Sequence, residues 1–317
     1  MSRQIEKSAL IIGITGGFGG HVARALARRG WRLRALLRDP SRLPADLQGV
    51  DAMQGDAADP EQVERAMDGM GTLVHGANVP YPRWRAEAMP MLEVAAAAAE
   101  RRGARLLFPG NVYNYDPADG PTLDEASPQH PPTEKGRIRV EMERRLRRAA
   151  NNGAEVVILR CGDFFGADAP STWMNEVVKP ARGDRWKLTL PGPADVPHAW
   201  AYLPDVGEAA ARLLSRPAAP GTFEVFHFRG HQASLERVGE SLASLVGEDN
   251  VRRGSLPWGA LALAAPFWPM ARELRELRYL WDEPLELDGG RLEAAVGPLP
   301  HTPLPEALAA TFGPSMG

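Results

Sequence analysis

Glycines crowd one stretch of this chain in a setting that few folds accept. The run Ile12-Gly13-Ile14-Thr15-Gly16-Gly17-Phe18-Gly19-Gly20 emerges from a short apolar segment, Ala9–Ile14, and leads into an amphipathic stretch, Gly20–Arg29. Without Cβ atoms, such a turn brings backbone close to whatever faces it and opens a helix at once. β-rich runs follow at Leu33–Leu37, Val50–Gln54, Thr72–His75, Arg105–Phe108 and Val156–Arg160, separated by helical patterns at Pro60–Met67, Arg85–Arg101 and Thr133–Asn151. With the first run, that alternation predicts a doubly wound α/β fold, a Rossmann-type parallel sheet of six strands covered on both faces.

After about residue 168 the rhythm changes. Prolines cluster at 191, 193, 197, 204, 217 and 220, and helical runs at Glu208–Leu214, Leu235–Val246 and Ala260–Trp281 no longer alternate with strands. The expected division is a nucleotide-binding core over 1–168 and a mixed region over 169–317. That region contributes the late Rossmann elements and a smaller, mostly helical lid over the substrate. The longest apolar stretch, Leu256–Met270, is broken by Pro257, Pro266 and Pro269 and is expected to be buried within the protein.

The 317 residues carry 37 basic against 40 acidic side chains, so no strong positive field draws the chain to nucleic acid or to a membrane. A single cysteine, Cys161, excludes an intrachain disulfide and a multi-thiolate metal site, and it suits a cytoplasmic, reducing setting. Met1–Ser8 is polar, and the apolar run after it is too short for a signal peptide. The seven histidines form no metal-binding motif, and Phe226–Arg229, which holds His227, reads as a strand, so no metal is expected.

A strand, a glycine turn and a helix in this order form an anion cradle. Gly13, Thr15, Gly16, Gly17, Phe18 and Gly19 are expected to hold a dinucleotide pyrophosphate at the helix N-terminus. The residue that ends the second strand selects the dinucleotide. An acidic side chain there grips a ribose 2′-hydroxyl, whereas a guanidinium suits a 2′-phosphate. Arg38 stands at that point with Arg42 a turn later, which favours NADP; Asp39 beside it leaves NAD open. Asp56 and Ala57 after the third strand, and Gly76, Ala77 and Asn78 after the fourth, complete the expected cofactor contacts.

The glycine motif, Gly55-Asp56, the segment from Leu159-Arg160 to Phe165-Gly166, and the run His198–Val206 together resemble the extended and atypical short-chain dehydrogenase/reductases, the NAD-dependent epimerase/dehydratase family. The likeness runs from about residue 8 to 215 and, more faintly, to His301–Leu304. It implies a Ser or Thr at the end of the fifth strand and a Tyr-x-x-x-Lys pair opening the next long helix. Ungapped, those positions fall on Asn111, Lys135 and Arg139, so all three expected residues are replaced. Asn111 can orient a substrate oxygen, Arg139 can bind the nicotinamide ribose, and Lys135 can exchange a proton if its pKa is depressed by Arg139 and desolvation. Tyr113 is a second proton donor candidate; the resemblance makes Tyr115 structural.

Expected substrate liners are Tyr81 and Trp84, Asp163 and Phe165, Trp173 and Asn175, and His198 and Trp200. The set is aromatic with few cations. It suits a small, partly apolar or sugar-like molecule undergoing hydride transfer at a carbinol or carbonyl carbon. A non-catalytic NADP(H)-binding sensor or scaffold is the competing expectation. A homodimer is left open.

Overall fold

The computed structural model describes residues 7–169, 172–217 and 219–313. Seven parallel strands form the central sheet: β1 (Ser8–Ile12), β2 (Arg32–Leu37), β3 (Asp51–Gln54), β4 (Thr72–His75), β5 (Arg105–Gly110), β6 (Glu155–Arg160) and β7 (Phe223–His227). Their spatial order is β7-β6-β5-β4-β1-β2-β3. Chain direction across the sheet reverses between β1 and β4, so Ile12 lies beside both Leu36 of β2 and His75 of β4. In sheets of this kind a crevice opens at that switch point.

The central strands are buried on both faces and alternate between two halves of the core, while β3 at the sheet edge is mostly exposed. Leu10, Ile12, Leu73, Leu106 and Phe108 pack with Val63 of α2 (Pro60–Ala66), Leu92 of α3 (Met89–Arg102) and Leu146 of α4 (Glu134–Asn151). Ala9, Ile11, Leu33, Val74 and Leu107 pack on the opposite face with Leu26 of α1 (Gly17–Arg28) and Val206 of α5 (Leu203–Leu214).

Several expectations shift. The first strand stops at Ile12 because Gly13 adopts φ +84°, and the helix after it begins at Gly17 instead of Gly20. A seventh strand, β7, joins the six expected as a late Rossmann element of the mixed region; it starts three residues before the strand expected at Phe226–Arg229 and ends at His227. Helix α5 opens at Leu203, five residues before the expected start, since Pro204 occupies a first-turn position where no N–H is required. The expected Arg85–Arg101 helix is a π turn, Trp84–Ala88, followed by α3 with Pro90 near its start. Ala260–Trp281 is three helices: α7 (Trp258–Ala264), α8 (Pro269–Glu276) and a short turn, Tyr279–Asp282, with Pro266 and Pro269 enforcing the first break.

Strands accompany the helices of the lid. Beyond residue 160 lie two small three-stranded sheets: Val178–Pro180, Trp186–Leu190 and Val251–Ser255 form one, and Asp163–Phe165, Pro197–Tyr202 and His231–Ser234 the other. Helix α6 (Leu235–Val246) forms as expected. Leu256–Met270 is not buried: Leu263 is 81%, Phe267 90% and Trp268 49% exposed. Among the described residues no helix is long and apolar enough to cross a membrane.

Candidate active site

The glycine turn packs where β1 meets β4. A Cβ on Gly13 would lie 2.5 Å from the Gly76 carbonyl, and one on Gly19 would lie 2.3 Å from the Gly13 oxygen. Gly16 precedes α1 without a side-chain cap, and the first turn of α1 contains no acidic residue. First-turn amides have no intrahelical acceptor, so this end of a 12-residue helix offers its N–H groups and positive dipole end to an anion. Thr15 and Gly16 are exposed at the mouth; the Phe18 ring turns inward against Phe164.

At the β2 exit, the Asp39 carboxylate accepts hydrogen bonds from the Ser41 amide (3.0 Å) and hydroxyl (2.7 Å). Those bonds hold its pKa below the usual carboxylate range. Arg38 and Arg42 beside it are exposed. Asp56 at the end of β3 accepts from the Ala58 amide and stays exposed, with Ala57 half-buried beside it. Gly76 and Ala77 are half-buried and Asn78 exposed, after β4.

Beyond β5, Asn111 accepts from the Tyr113 amide (3.2 Å), which leaves its side-chain NH₂ uncommitted within the protein. The Asn111 carbonyl is held by Arg160 (2.6 Å), itself fully buried and paired with Glu143 at 2.8 Å. Glu143 also accepts from Asn114 and Gln129, so a polar network fixes this loop, with only Asn114 Oδ1 and Arg160 Nε of these groups left without a partner. The Tyr113 phenol is buried and hydrogen-bonds to the Tyr81 phenol at 2.8 Å. Burial and the Asp163 carboxylate push Tyr81 up to about 12. Burial, then Tyr81 and Asp163, raises Tyr113 well above an ordinary phenol.

Arg139 projects from the same side of α4. Its guanidinium lies 4.6 Å from the Trp84 ring centre and donates to the Pro109 carbonyl at 3.2 Å, while its Nε has no partner. Burial lowers it to about 10, so it is cationic at neutral pH. Close approach of α4 depends on Gly136, where a Cβ would come within 2.1 Å of the Tyr113 oxygen.

Lys135 lies elsewhere than expected. Its ammonium is buried against two carboxylates of α8, Glu273 and Glu276 (2.5 Å to the latter). Glu276 also accepts from the Lys135 amide (3.1 Å) and the Glu134 amide, capping α4. The group expected to lose its proton beside a cation is instead enclosed by anions.

The substrate liners divide. Tyr81 and Asp163 are half-buried at the phenol pair, and Asp163 accepts from His198 at 2.7 Å. His198 stacks on Trp281 with ring centres 4.1 Å apart, which makes it a packed, hydrogen-bonded residue. Trp84 donates to the Val79 carbonyl and stacks on Tyr113. Trp200, which donates to the Ala233 carbonyl, and Phe165 are both fully buried, so neither lines an open pocket. Trp173 packs edge-on against Trp281, and Asn175 donates to the Ala169 carbonyl. Tyr115 bonds to His227 inside the core. Cys161 is buried, and burial raises its thiol pKa.

Three residues escaped the sequence reading: Glu273, Glu276 and Tyr279, whose phenol faces Asp163 and Glu276. The spacing of 273 and 276 on one face of an amphipathic helix was the available signal.

A doubly wound sheet with an uncapped glycine cradle at its switch point defines a dinucleotide-binding protein of the Rossmann class. The family model for the NAD dependent epimerase/dehydratase family matches residues 9–227, and the chain belongs to that family. It is similar to the uncharacterized protein y4nL of Sinorhizobium fredii, 30% identical over 186 residues, 51% of this chain and 52% of that one. It is also similar to a ceramide reductase of Caulobacter vibrioides, 32% identical over 114 residues, 34% of this chain and 36% of that one. The chain thus spans about half or less of the length of these curated relatives. Among solved structures it resembles MoeE5 in complex with UDP-glucose and NAD, with TM-score 0.74, 19% identity and coverage of 96% and 97%. That likeness is one of fold.

Proposed function

We propose that the protein is an NADP(H)-dependent oxidoreductase that exchanges hydride with a carbinol or carbonyl carbon of a small, partly apolar or sugar-like substrate. The observation that carries this reading is the buried Tyr113–Tyr81 phenol pair beside Arg139, immediately after β5. Family membership and the glycine cradle support a nicotinamide dinucleotide. The residues fit that group: the α1 amides would meet the pyrophosphate, and the unpartnered Arg139 Nε marks a donor available to the ribose. When bound, the dinucleotide supplies or takes the hydride. NADP is favoured over NAD because Asp39 is engaged by Ser41, while Arg38 and Arg42 stand exposed beside it.

In the reducing direction Asn111 donates from its side-chain NH₂ to the substrate oxygen and holds it. Tyr113 gives its proton to that oxygen, Tyr81 passes its own proton to Tyr113, and the half-buried Tyr81 takes a proton from water in turn, so that both phenols are restored. Both phenols stay protonated at neutral pH, as an acid requires. Lys135 is a positioning residue that latches α8 over α4. Residues 1–168 serve as the cofactor-binding core and 169–317 as the part that completes the sheet and covers the site, in a cytoplasmic setting. The ceramide reductase among the relatives favours a substrate with apolar character; the few cations near the phenols disfavour a diphosphate.

The test is a panel of carbonyl compounds and sugar nucleotides with NADPH, using the parent and Tyr113→Phe. Turnover by the parent that falls roughly 10²–10⁴-fold in Tyr113→Phe is expected for loss of a positioned acid. Unchanged turnover in the variant would remove Tyr113 from the reaction. Tight cofactor binding without any turnover would favour the sensor reading, to which the latched Lys135 lends its support.

A further inference from the structure

We propose that the α7–α8 hairpin is a docking surface for an anionic phospholipid bilayer. At its tip Leu263 is 81%, Phe267 90% and Trp268 49% exposed, the largest cluster of uncovered apolar side chains among the described residues. Isolated exposed apolar residues are ordinary, but three within six positions at one helix turn mark a contact site.

The backbone of the tip is prepared for a medium without water. Ala265 donates to Leu261, and Phe267 and Trp268 both donate to Ala264, at 3.0, 3.0 and 2.8 Å. Pro266 and Pro269 have no N–H to satisfy. Each backbone donor from 265 to 269 is therefore bonded or absent, as entry into an apolar interface demands.

The charge beside the tip is mainly positive: Arg278 pairs with Asp282 at 3.3 Å and Arg272 approaches Glu273 at 3.5 Å, while Arg275 has no acidic partner among the described residues. Arg272, Arg275 and Arg278 follow it at three-residue spacing, and all three are exposed. Arg275 and Arg278 join Trp258, Gly259 and Ala262 around a groove of about 270 Å³, which offers a phosphate the Arg275 guanidinium, and that of Arg278 in exchange for Asp282, beside an apolar wall. The acidic residues of α8, Glu273 and Glu276, turn inward to Lys135 and leave the outer face to arginine. The strand that leads into α7 adds to this. Lys179, Lys187 and Arg252 stand directly opposite one another across its sheet, all exposed, and only Lys179 has an acidic neighbour, Glu176. Like charges in such a row repel, and a polyanionic surface relieves the repulsion.

This complementarity chooses the occupant. A second copy meeting the same face isologously would set arginine against arginine, whereas anionic headgroups neutralise the ring while acyl chains receive Leu263, Phe267 and Trp268. The expected exclusion of a membrane partner rested on overall charge and on burial of 256–270, and the burial does not hold. The inference rests on the hairpin and the basic row of the sheet beside it and is independent of the redox reading.

The test is sedimentation of the full chain with phosphatidylcholine vesicles, with and without phosphatidylglycerol. Binding to the phosphatidylglycerol vesicles, weakened by salt, is expected. The double variant Leu263→Ser with Phe267→Ser should bind at least roughly tenfold more weakly. Arg275→Gln with Arg278→Gln should lose the preference for the anionic vesicles. Both variants should keep the parent melting temperature, because the changed side chains are exposed. No binding to either vesicle, equal binding to both, or unchanged binding by the serine variant would overturn the proposal. So would a parent dimer that the serine variant dissociates while vesicle binding is absent, which would assign the tip to a second copy.

Discussion

Glu273→Gln combined with Glu276→Gln should destabilise the protein far more than Lys135→Met, although both changes break the same contact. Lys135 is 2% exposed in its side chain, while Glu273 and Glu276 are 14% and 24% exposed. Neutralising both carboxylates strands a buried ammonium, and breaking a buried pair from one side costs about 3–5 kcal/mol. Removing the lysine leaves two carboxylates that reach water at their edges, and Glu276 retains the α4 amides of Glu134 and Lys135. Methionine fills a similar volume, so the cost should be about 1–2 kcal/mol. By thermal unfolding the carboxylate variant should melt roughly 5–15 °C below the parent and the methionine variant no more than about 5 °C below it. Urea unfolding gives the same comparison as free energies. A lysine variant less stable than the double glutamine variant would refute the reasoning, since it would mean that the ammonium is not the group enclosed by protein. Turnover should survive Lys135→Met apart from a change in KM, because the latch orders the lid and does not carry the proton.

Gly19→Ala should abolish nucleotide binding by fluorescence titration, since its methyl would lie 2.3 Å from the Gly13 oxygen and force the cradle open. Gly136→Ala should lower kcat by pushing α4 away from the Tyr113 loop, where the clash is 2.1 Å, while leaving cofactor affinity within a few-fold. Acid should destabilise the fold over a defined window. Burial depresses His75 and His231 to about 4 and His227 to about 3, so below the ordinary value of 6.5 the unfolded chain takes up protons that the folded chain refuses. Each histidine thus contributes stability that is fully present above pH 6.5 and is lost as pH falls toward its folded pKa, at about 1.4 kcal/mol per unit. Urea midpoints measured from pH 7 to 4.5 should fall steadily; a flat profile would contradict the burial of these rings.

The strand-turn-helix logic was legible because it depends on local patterns: glycine spacing, apolar runs and caps. The ends of the elements were less so, since Gly13 leaves the sheet through a backbone angle that composition does not reveal, and Pro204 opens α5 instead of preceding it. The strand at Phe226–Arg229 was legible, but its true bounds, Phe223–His227, and its place as the seventh strand beside β6 were not, because they depend on long-range pairing. At the site, the loop after β5 and the helix at 134 were found by position, but their partners were not. Glu273 and Glu276 reach Lys135 from more than 130 residues away in sequence. Fully buried Trp200 looked like a pocket residue because an aromatic side chain near a strand end serves a core or a cleft equally well. The apolar composition of 256–270 points to a buried segment, yet its proline breaks build an outward hairpin.

The proposed activity requires a phosphate-bearing dinucleotide lying over the Gly13–Gly19 turn with Arg38 beside its ribose. Fluorescence titration of the purified chain with NADPH and NADH, repeated on Arg38→Ala, tests it most directly. NADPH should bind roughly tenfold more tightly than NADH, with the advantage lost in Arg38→Ala and NADH affinity unchanged, as expected for an exposed charge-assisted contact. Tighter binding of NADH, or failure to bind either, would contradict it.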